Sequence, residues 1–570
     1  MQTADQAVAA LRERKDAWAR LPIPDKIEFL RGLRHRTDAD AKRWVDFAVR
    51  AKGIPAGSPW AGEEWASGPW AFLYGIDALQ ISLGALARGQ APTLRRGAVR
   101  VRPDGQVVVR VFPPGFYDWL LLNGVRAEVW MQREVTRENL SEHMAGFYRQ
   151  AAPAGRVALV LGAGNISSIA PLDVLHKLFA EGQVALLKMN PVNDYLGHVF
   201  EDVFAELVEA GFVRFVYGGA DVGAHLVGHE GIDEIHITGS EHTYDAIRFG
   251  TGPDAAERKR RNDPVTRKRI TAELGGVGPT IVLPGRWSRA DLQFQAENIV
   301  TQKLHNAGCN CVASQVLVLP GSWDQKDALL DAVRATIRSL PPRPAYYPGA
   351  ARRLQTALDA YPAAELLEAP GEGVVPRTLI GGLDAQNAGQ YAFTEEFFGA
   401  VLAQTTLPGR TAAEFLDEAV RFANGTLRGT LGANLIAHPR TLAELGPGFD
   451  RALAALRYGT IGVNAWVGVA FMLPQATWGA FPGHPDNDIQ SGQGVVHNAL
   501  LFDKPERTVV VAPFEPFPRA LLRGRFRLLP KPPWFLTNRR ADEVCRRVTR
   551  LAARPGPHHL PGIFWAALRG

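Results

Sequence analysis

Cysteine is scarce in this chain, with three in 570 residues, at positions 309, 311 and 545. That excludes a disulfide-stapled scaffold and predicts a reducing, cytoplasmic setting. No apolar run approaches the roughly 20 residues that a bilayer span needs. The opening, MQTADQAVAALRERK, reads as a polar amphipathic helix and lacks the apolar core of a secretory signal. Metal-ligand clusters are missing too: His558 and His559 stand side by side without partners at ligand spacing, so no metal is expected. Neither a Walker loop nor a nucleophile elbow occurs.

Charge is scarce over most of the chain. The net charge is +6, yet from Pro513 onward 12 Lys and Arg face three Asp and Glu. That tail carries +9, which leaves the preceding 512 residues near −3. The basicity therefore belongs to an appendage, and no nucleic-acid partner is expected for the body. At 46% hydrophobic and 21% charged, the composition is that of a globular protein long enough for two or three domains.

Residues 1–95 carry apolar positions at helical spacing, interrupted by GSPWAGEEWASGPW with its Gly, Pro and Trp. VRVRPDGQVVVRVF (99–112) alternates around Asp104-Gly105 and predicts a β-hairpin. Residues 115–150 return to a helix-like pattern. From 156 the rhythm becomes strand, helix, strand: RVALVLGAG, VALLKMNP, VRFVYGG and IDEIHITGS are strands separated by helical stretches. Such alternation predicts parallel βαβ units and a doubly wound sheet of nucleotide-binding style. A basic stretch (257–269) follows, then a second alternating region to about 480. The strand RTVVVAPF (507–514) precedes a tail rich in Pro, Arg and aromatics, with one helix-like stretch at 540–553.

Covalent oxidation of a carbonyl needs a nucleophile, donors for the oxyanion, a hydride acceptor and a base for water. Cys311 lies in an N-x-G-x-x-C pattern with Asn306 and Gly308. A thiol there needs a lowered pKa or a neighbouring base to react at neutral pH. Glu273, set among apolar residues and glycines before a strand, has the surroundings that raise a carboxyl pKa. Asn165 follows a Gly162-x-Gly164 fragment whose third glycine position holds Ser167, a defective dinucleotide fingerprint. Lys188 ends a strand 23 residues later.

These segments resemble, in order, those of the aldehyde dehydrogenase superfamily over roughly residues 150–510. The resemblance rests on LGAGNISSIAPLDVLHKLFAEGQVALLKMNP, EIHITGS, ITAELGGVGPTIV, LHNAGCNCVASQVLVL, EEFFGAV, NGTLRGTLGANLI and YGTIGVNAW. It implies an α/β fold with a doubly wound cofactor domain, an α/β catalytic domain and a small β oligomerisation arm. The expected division is a helical N-terminal part of the cofactor domain (1–98), a hairpin and helical connection (99–150) and the dinucleotide-binding domain (151–272). After these come the catalytic domain (273–480), a return to the cofactor domain with an oligomerisation strand (481–512), and the basic extension (513–570).

The resemblance also implies roles. Cys311 is the nucleophile, Glu273 the base for the hydrolytic water, and Asn165 the side-chain oxyanion donor. Lys188, Gly239, Ser240, Glu396 and Phe398 are cofactor contacts for NAD or NADP. It implies an aldehyde substrate and a homodimer or homotetramer. Glu273 favours release as a carboxylic acid. An acyl-thioester reductase on the same scaffold and a non-catalytic relative are the alternatives.

The departures are Pro191 and Tyr244 at cofactor-loop positions, Val277 after the Glu-Leu-Gly-Gly segment, Ala400 in EEFFGAV, and Cys309 where the family usually has Gln. They leave NAD and NADP both open. The tail reads as an arm packed on the body, with peripheral contact to an anionic membrane as the alternative.

Overall fold

The structure is a computed structural model that describes residues 1–369, 371 and 373–570. Two sheets organise it. In the first, the strands Val157–Leu161, Val184–Lys188, Val213–Val216, Glu234–Gly239 and Arg269–Leu274 run parallel, and Gly492–Gln493 adds an antiparallel edge. The strand Val157–Leu161 sits between Val184–Lys188 and Glu234–Gly239. The chain thus winds outward on one side and then on the other, which creates a crevice at the carboxyl ends of those strands, where ligands of such sheets bind. The strands are near-continuous Val, Leu, Ile and Ala because helices cover both faces. The N-terminal helices Gln2–Arg20 and Ile23–Ala51 supply part of that cover, burying Trp18 and Trp44 completely.

The second sheet has eleven strands. Gly278–Val282, Ser314–Pro320, Thr378–Leu383, Val401–Leu407, Gly432–Ile436 and Thr460–Val463 form its parallel body. The predicted hairpin is present, with Val99↔Val109 and Val101↔Val107 paired across a turn in which Gly105 holds φ +83°. It joins this sheet through Arg126–Met131, and that strand pairs with Pro505–Val511.

Three features differ from the sequence reading. The 115–150 region is not mainly helical. Its centre, RAEVWM, is a strand, and what decides it is two neighbouring strands with open backbone groups on either side. GSPWAGEEWASGPW does not break the N-terminal helices either. The helix Ala61–Trp65 runs through a π turn (Ala66–Trp70, with Pro69 inside) into Ala71–Ala87. The whole of Ala61–Ala87 is long and apolar enough to cross a bilayer, and just over half of its most apolar stretch is buried inside the fold. Finally, the strand Pro505–Val511 is occupied on both edges within one chain, by Thr460–Val463 and by Arg126–Met131. It offers no open edge to a partner's strand.

Candidate active site

The first sheet hands over to the second at Gly275–Gly276, between the strands Arg269–Leu274 and Gly278–Val282. Glu273 is the penultimate residue of the first of these. Its side chain is buried, and neither carboxylate oxygen has a well-aligned hydrogen bond. It lies against the Cys311 thiol and the Trp478 indole, and burial pushes its pKa up to about 7. Cys311 is half-buried, and its own thiol pKa is held well above the usual value, first by burial and then by Glu273 beside it. The resting pair is therefore a thiol facing a carboxyl that titrates near neutrality, rather than a preformed thiolate.

The loop that presents Cys311 is left-handed for three residues, with φ of +54°, +58° and +77° at Asn306, Ala307 and Gly308. Such a run persists only where the surroundings over-determine it. Gly308 explains one element of the N-x-G-x-x-C pattern: a Cβ there would lie 2.5 Å from the Gly399 carbonyl oxygen. Asn306 explains another. Its Nδ2 donates to the carbonyls of Asn165 (3.1 Å) and Cys309 (3.0 Å), and its Oδ1 accepts from Lys52 Nζ (3.0 Å).

Asn165 sits at the carboxyl end of the strand Val157–Leu161, and its Nδ2 donates to the Cys309 carbonyl at 3.0 Å. One amide proton remains for another acceptor. The Cys311 N–H makes no hydrogen bond to another residue among those described. Cys309 is turned away from the cleft, with its sulfur against the Ala307 and Phe398 carbonyls at 3.9 and 3.7 Å. Burial raises its pKa to about 11.

Glu396 and Phe398 approach from the other side. The Glu396 carboxylate lies where a side chain on Gly275 would be, which is why glycine is required there. Burial pushes Glu396 up to about 8, and the nearby Lys303 ammonium opposes that shift. Phe398 holds φ +40°, and its carbonyl accepts from Arg353 Nη2 at 3.0 Å.

Lys188, Gly239 and Ser240 stand apart from this cluster, at the carboxyl edge of the first sheet. Lys188 is buried and makes no hydrogen bond or ion pair among the described residues, and burial lowers its pKa. Gly239 and Ser240 are exposed, and Ser240 caps the helix Glu241–Phe249 by accepting from the Thr243 N–H. An unpaired buried cation beside an open helix start suits the hydroxyls and phosphates of a dinucleotide. Tyr244 is buried under this loop and donates to Asp486 at 2.9 Å, so the large residue at a glycine position props the loop from below. Much of the basic stretch is self-satisfied. Lys259 pairs with Asp245 and Glu241, Arg258 with Asp263, and both Arg260 and Arg261 with Glu257.

Residues 126–348 match the model of the aldehyde dehydrogenase family. The chain belongs to the aldehyde dehydrogenase superfamily. N-succinylglutamate 5-semialdehyde dehydrogenase 1 of Caulobacter vibrioides is 30% identical over 44% of this chain and 50% of its own length. The geranial dehydrogenase of Castellaniella defragrans is 25% identical over 67% of this chain and 79% of its own. The chain spans about half the length of most curated relatives it matches. Among solved structures, a Cys-to-Ala variant of an aldehyde dehydrogenase from Pseudomonas syringae, crystallised with NAD+ and octanal, superposes with a TM-score of 0.58. Its identity is 19%, and 90% of each chain is covered, which shows the aldehyde dehydrogenase fold.

Several residues that build this aldehyde dehydrogenase site escaped the motif reading because each lies far along the chain from its partner. Lys52 joins Glu64 to the Asn165 and Asn306 loops, and Arg343 makes a bidentate pair with Glu63. Tyr346 donates to the Asn165 carbonyl at 3.1 Å. Lys303 is buried between Glu396 and Cys309, with its pKa lowered by burial to about 8. The one sequence signal was Glu63-Glu64 inside an otherwise apolar helix, where unpaired charges are not tolerated.

Proposed function

We propose that the protein oxidises an aldehyde to a carboxylic acid with NAD or NADP, through a thiohemiacetal and then a thioester on Cys311. The observation that carries the reading is the buried, hydrogen-bond-poor Glu273 carboxyl set against the Cys311 thiol. Glu273 takes the thiol proton, and the sulfur attacks the carbonyl carbon. The Asn165 amide and the Cys311 N–H are the donors aimed at the oxyanion. A bound nicotinamide supplies the hydride acceptor; Lys188 and Ser240 would hold the nucleotide, and Glu396 with Phe398 the nicotinamide end. Glu273 then orients and deprotonates the water that opens the thioester. Apolar aldehydes fit best. One relative is named a geranial dehydrogenase, one fold neighbour was crystallised with octanal, and the cavity at Cys311 is apolar.

The test is a panel of aldehydes with NAD+ and with NADP+, each with and without coenzyme A. Free acid as the product in both arms is expected. Product that becomes a thioester only when coenzyme A is present would overturn the hydrolytic reading.

Because ionised Glu273 is the active form, kcat/KM should rise with pH through about 7 and level off above it. Glu273→Gln should remove that limb and lower kcat on the order of 10²- to 10⁴-fold. The sign for stability is opposite. The folded carboxyl keeps its proton up to about 7, above its unfolded value, so ionisation costs stability as pH rises between the two. Glu273→Gln should therefore raise Tm relative to the native protein more at pH 8 than at pH 5. Equal Tm differences at the two pH values would contradict a buried, perturbed carboxyl.

A further inference from the structure

One cavity, of about 370 Å³, touches Cys311 and also the C-terminal extension. At its inner end stand Cys311, His305 and Asn310; farther out its wall is formed by the π turn Ala66–Trp70, the helix Ala71–Ala87 and residues 528–567. We propose that the extension 513–570 is the outer wall of the substrate channel and selects aldehydes that carry a long apolar chain. This rests on the reading above, that Cys311 takes an aldehyde carbonyl, and names the substrate class of that same site.

The extension's sequence explains the wall. In the helix Ala541–Ala553, Val544, Val548 and Leu551 recur at helical spacing and face the cavity, while Arg546, Arg547 and Arg550 do not line it. The last helix, Leu560–Ala567, contributes Ile563, Phe564 and Ala567. No ionisable group from the extension except the Cys545 thiol lines the space, and burial raises that thiol's pKa to about 12. Farther out, Tyr74 donates to Asp118 at 2.7 Å and Asp77 pairs with Arg34 at 3.2 Å, so those polar groups already have partners. The channel meets solvent beside Ile81, which is 64% exposed.

The extension is fixed in place rather than free. Arg519 and Arg523 pair with Asp291, Lys531 with Glu297, and Arg554 with Asp38. Trp60 Nε1 and Gln295 Nε2 donate to the Leu536 and Phe514 carbonyls. An amphipathic helix normally turns its apolar face into a filled core. Here that face borders a space of the size used for small-molecule ligands, and an unfilled apolar void of that size would destabilise the fold.

The experiment uses the full chain. For straight aldehydes of three to twelve carbons, kcat/KM should climb about fourfold per added methylene until the channel is full, a gain near 100-fold from butanal to decanal. Val548→Trp and Ala567→Trp narrow the channel from two different helices. Each should cut the decanal-to-butanal ratio at least tenfold, with circular dichroism and Tm confirming that the variants fold. Val548→Ala should move the optimum toward longer chains.

A second readout needs no turnover: decan-1-ol binding to Cys311→Ala protein, followed by fluorescence of Trp70, Trp466 and Trp534, which line the cavity. Added Val548→Trp should weaken that binding at least tenfold. Aldehydes oxidised without length dependence, or a ratio unmoved in both folded Trp variants, would overturn the channel assignment and leave the oxidation reading intact. No oxidation at any length, together with decanol binding lost on Val548→Trp, would uphold the channel and sink the oxidation reading.

Discussion

Cys311→Ala is expected to abolish aldehyde turnover, lowering kcat by at least about 10⁴-fold, because the covalent step has no other nucleophile in reach. Cys309 is the nearest alternative in sequence, two residues away. Its sulfur points at the Ala307 and Phe398 carbonyls, however, and burial holds its thiol protonated. Cys309→Ala should therefore keep most of the activity. Mass spectrometry of protein quenched during turnover should find the acyl mass on the peptide containing Cys311. Full activity in Cys311→Ala would end the thioester mechanism outright. Burial and Glu273 raise the Cys311 pKa, so reactivity has to come from proton transfer to Glu273 rather than from a resting thiolate. Iodoacetamide alkylation should accordingly be slow at pH 6 and accelerate as Glu273 ionises.

The second large effect concerns stability. Lys52 and Glu64 are each 1% exposed and paired at 2.7 Å, and the other two protons of the ammonium go to the Asn165 carbonyl and Asn306 Oδ1, both at 3.0 Å. Lys52→Met leaves a buried carboxylate without its cation and two buried oxygens without that donor. A loss of roughly 3–5 kcal/mol is expected, the cost of breaking a buried pair from one side. Urea titration of Lys52→Met measures it. The double variant Lys52→Met/Glu64→Gln should recover part of the loss, because the stranded charge is gone. Activity should fall as well, since the same ammonium braces both asparagine loops around Cys311. A Lys52→Met protein as stable as the native one would show that the ion pair is not a structural tie.

The same pair marks where sequence reasoning stopped. Nothing near Lys52 announces a role, because its partners are 12, 113 and 254 residues away. Arg343 with Glu63 is the same case. The motif residues were legible because each is needed locally. Gly308 is forced by φ +77° and by the Gly399 carbonyl, and Gly275 by the close approach of Glu396. Alternating strand and helix patterns gave the parallel first sheet, since buried parallel strands must be apolar on both faces. The strand Arg126–Met131 was missed because its neighbours, not its own composition, pair it into the sheet.

By itself, then, the sequence determined the α/β architecture, the family, and the identities of Cys311, Glu273 and Asn165 as candidates, because those depend on local spacing and periodicity. Only the tertiary structure decided that Glu273 meets Cys311 in a dry site and that the strand Pro505–Val511 is paired on both edges within the chain. It alone also placed the basic tail as a wall of the cavity at Cys311. Each of these depends on which distant surfaces exclude water from one another, and burial between distant segments leaves no periodic trace in the chain.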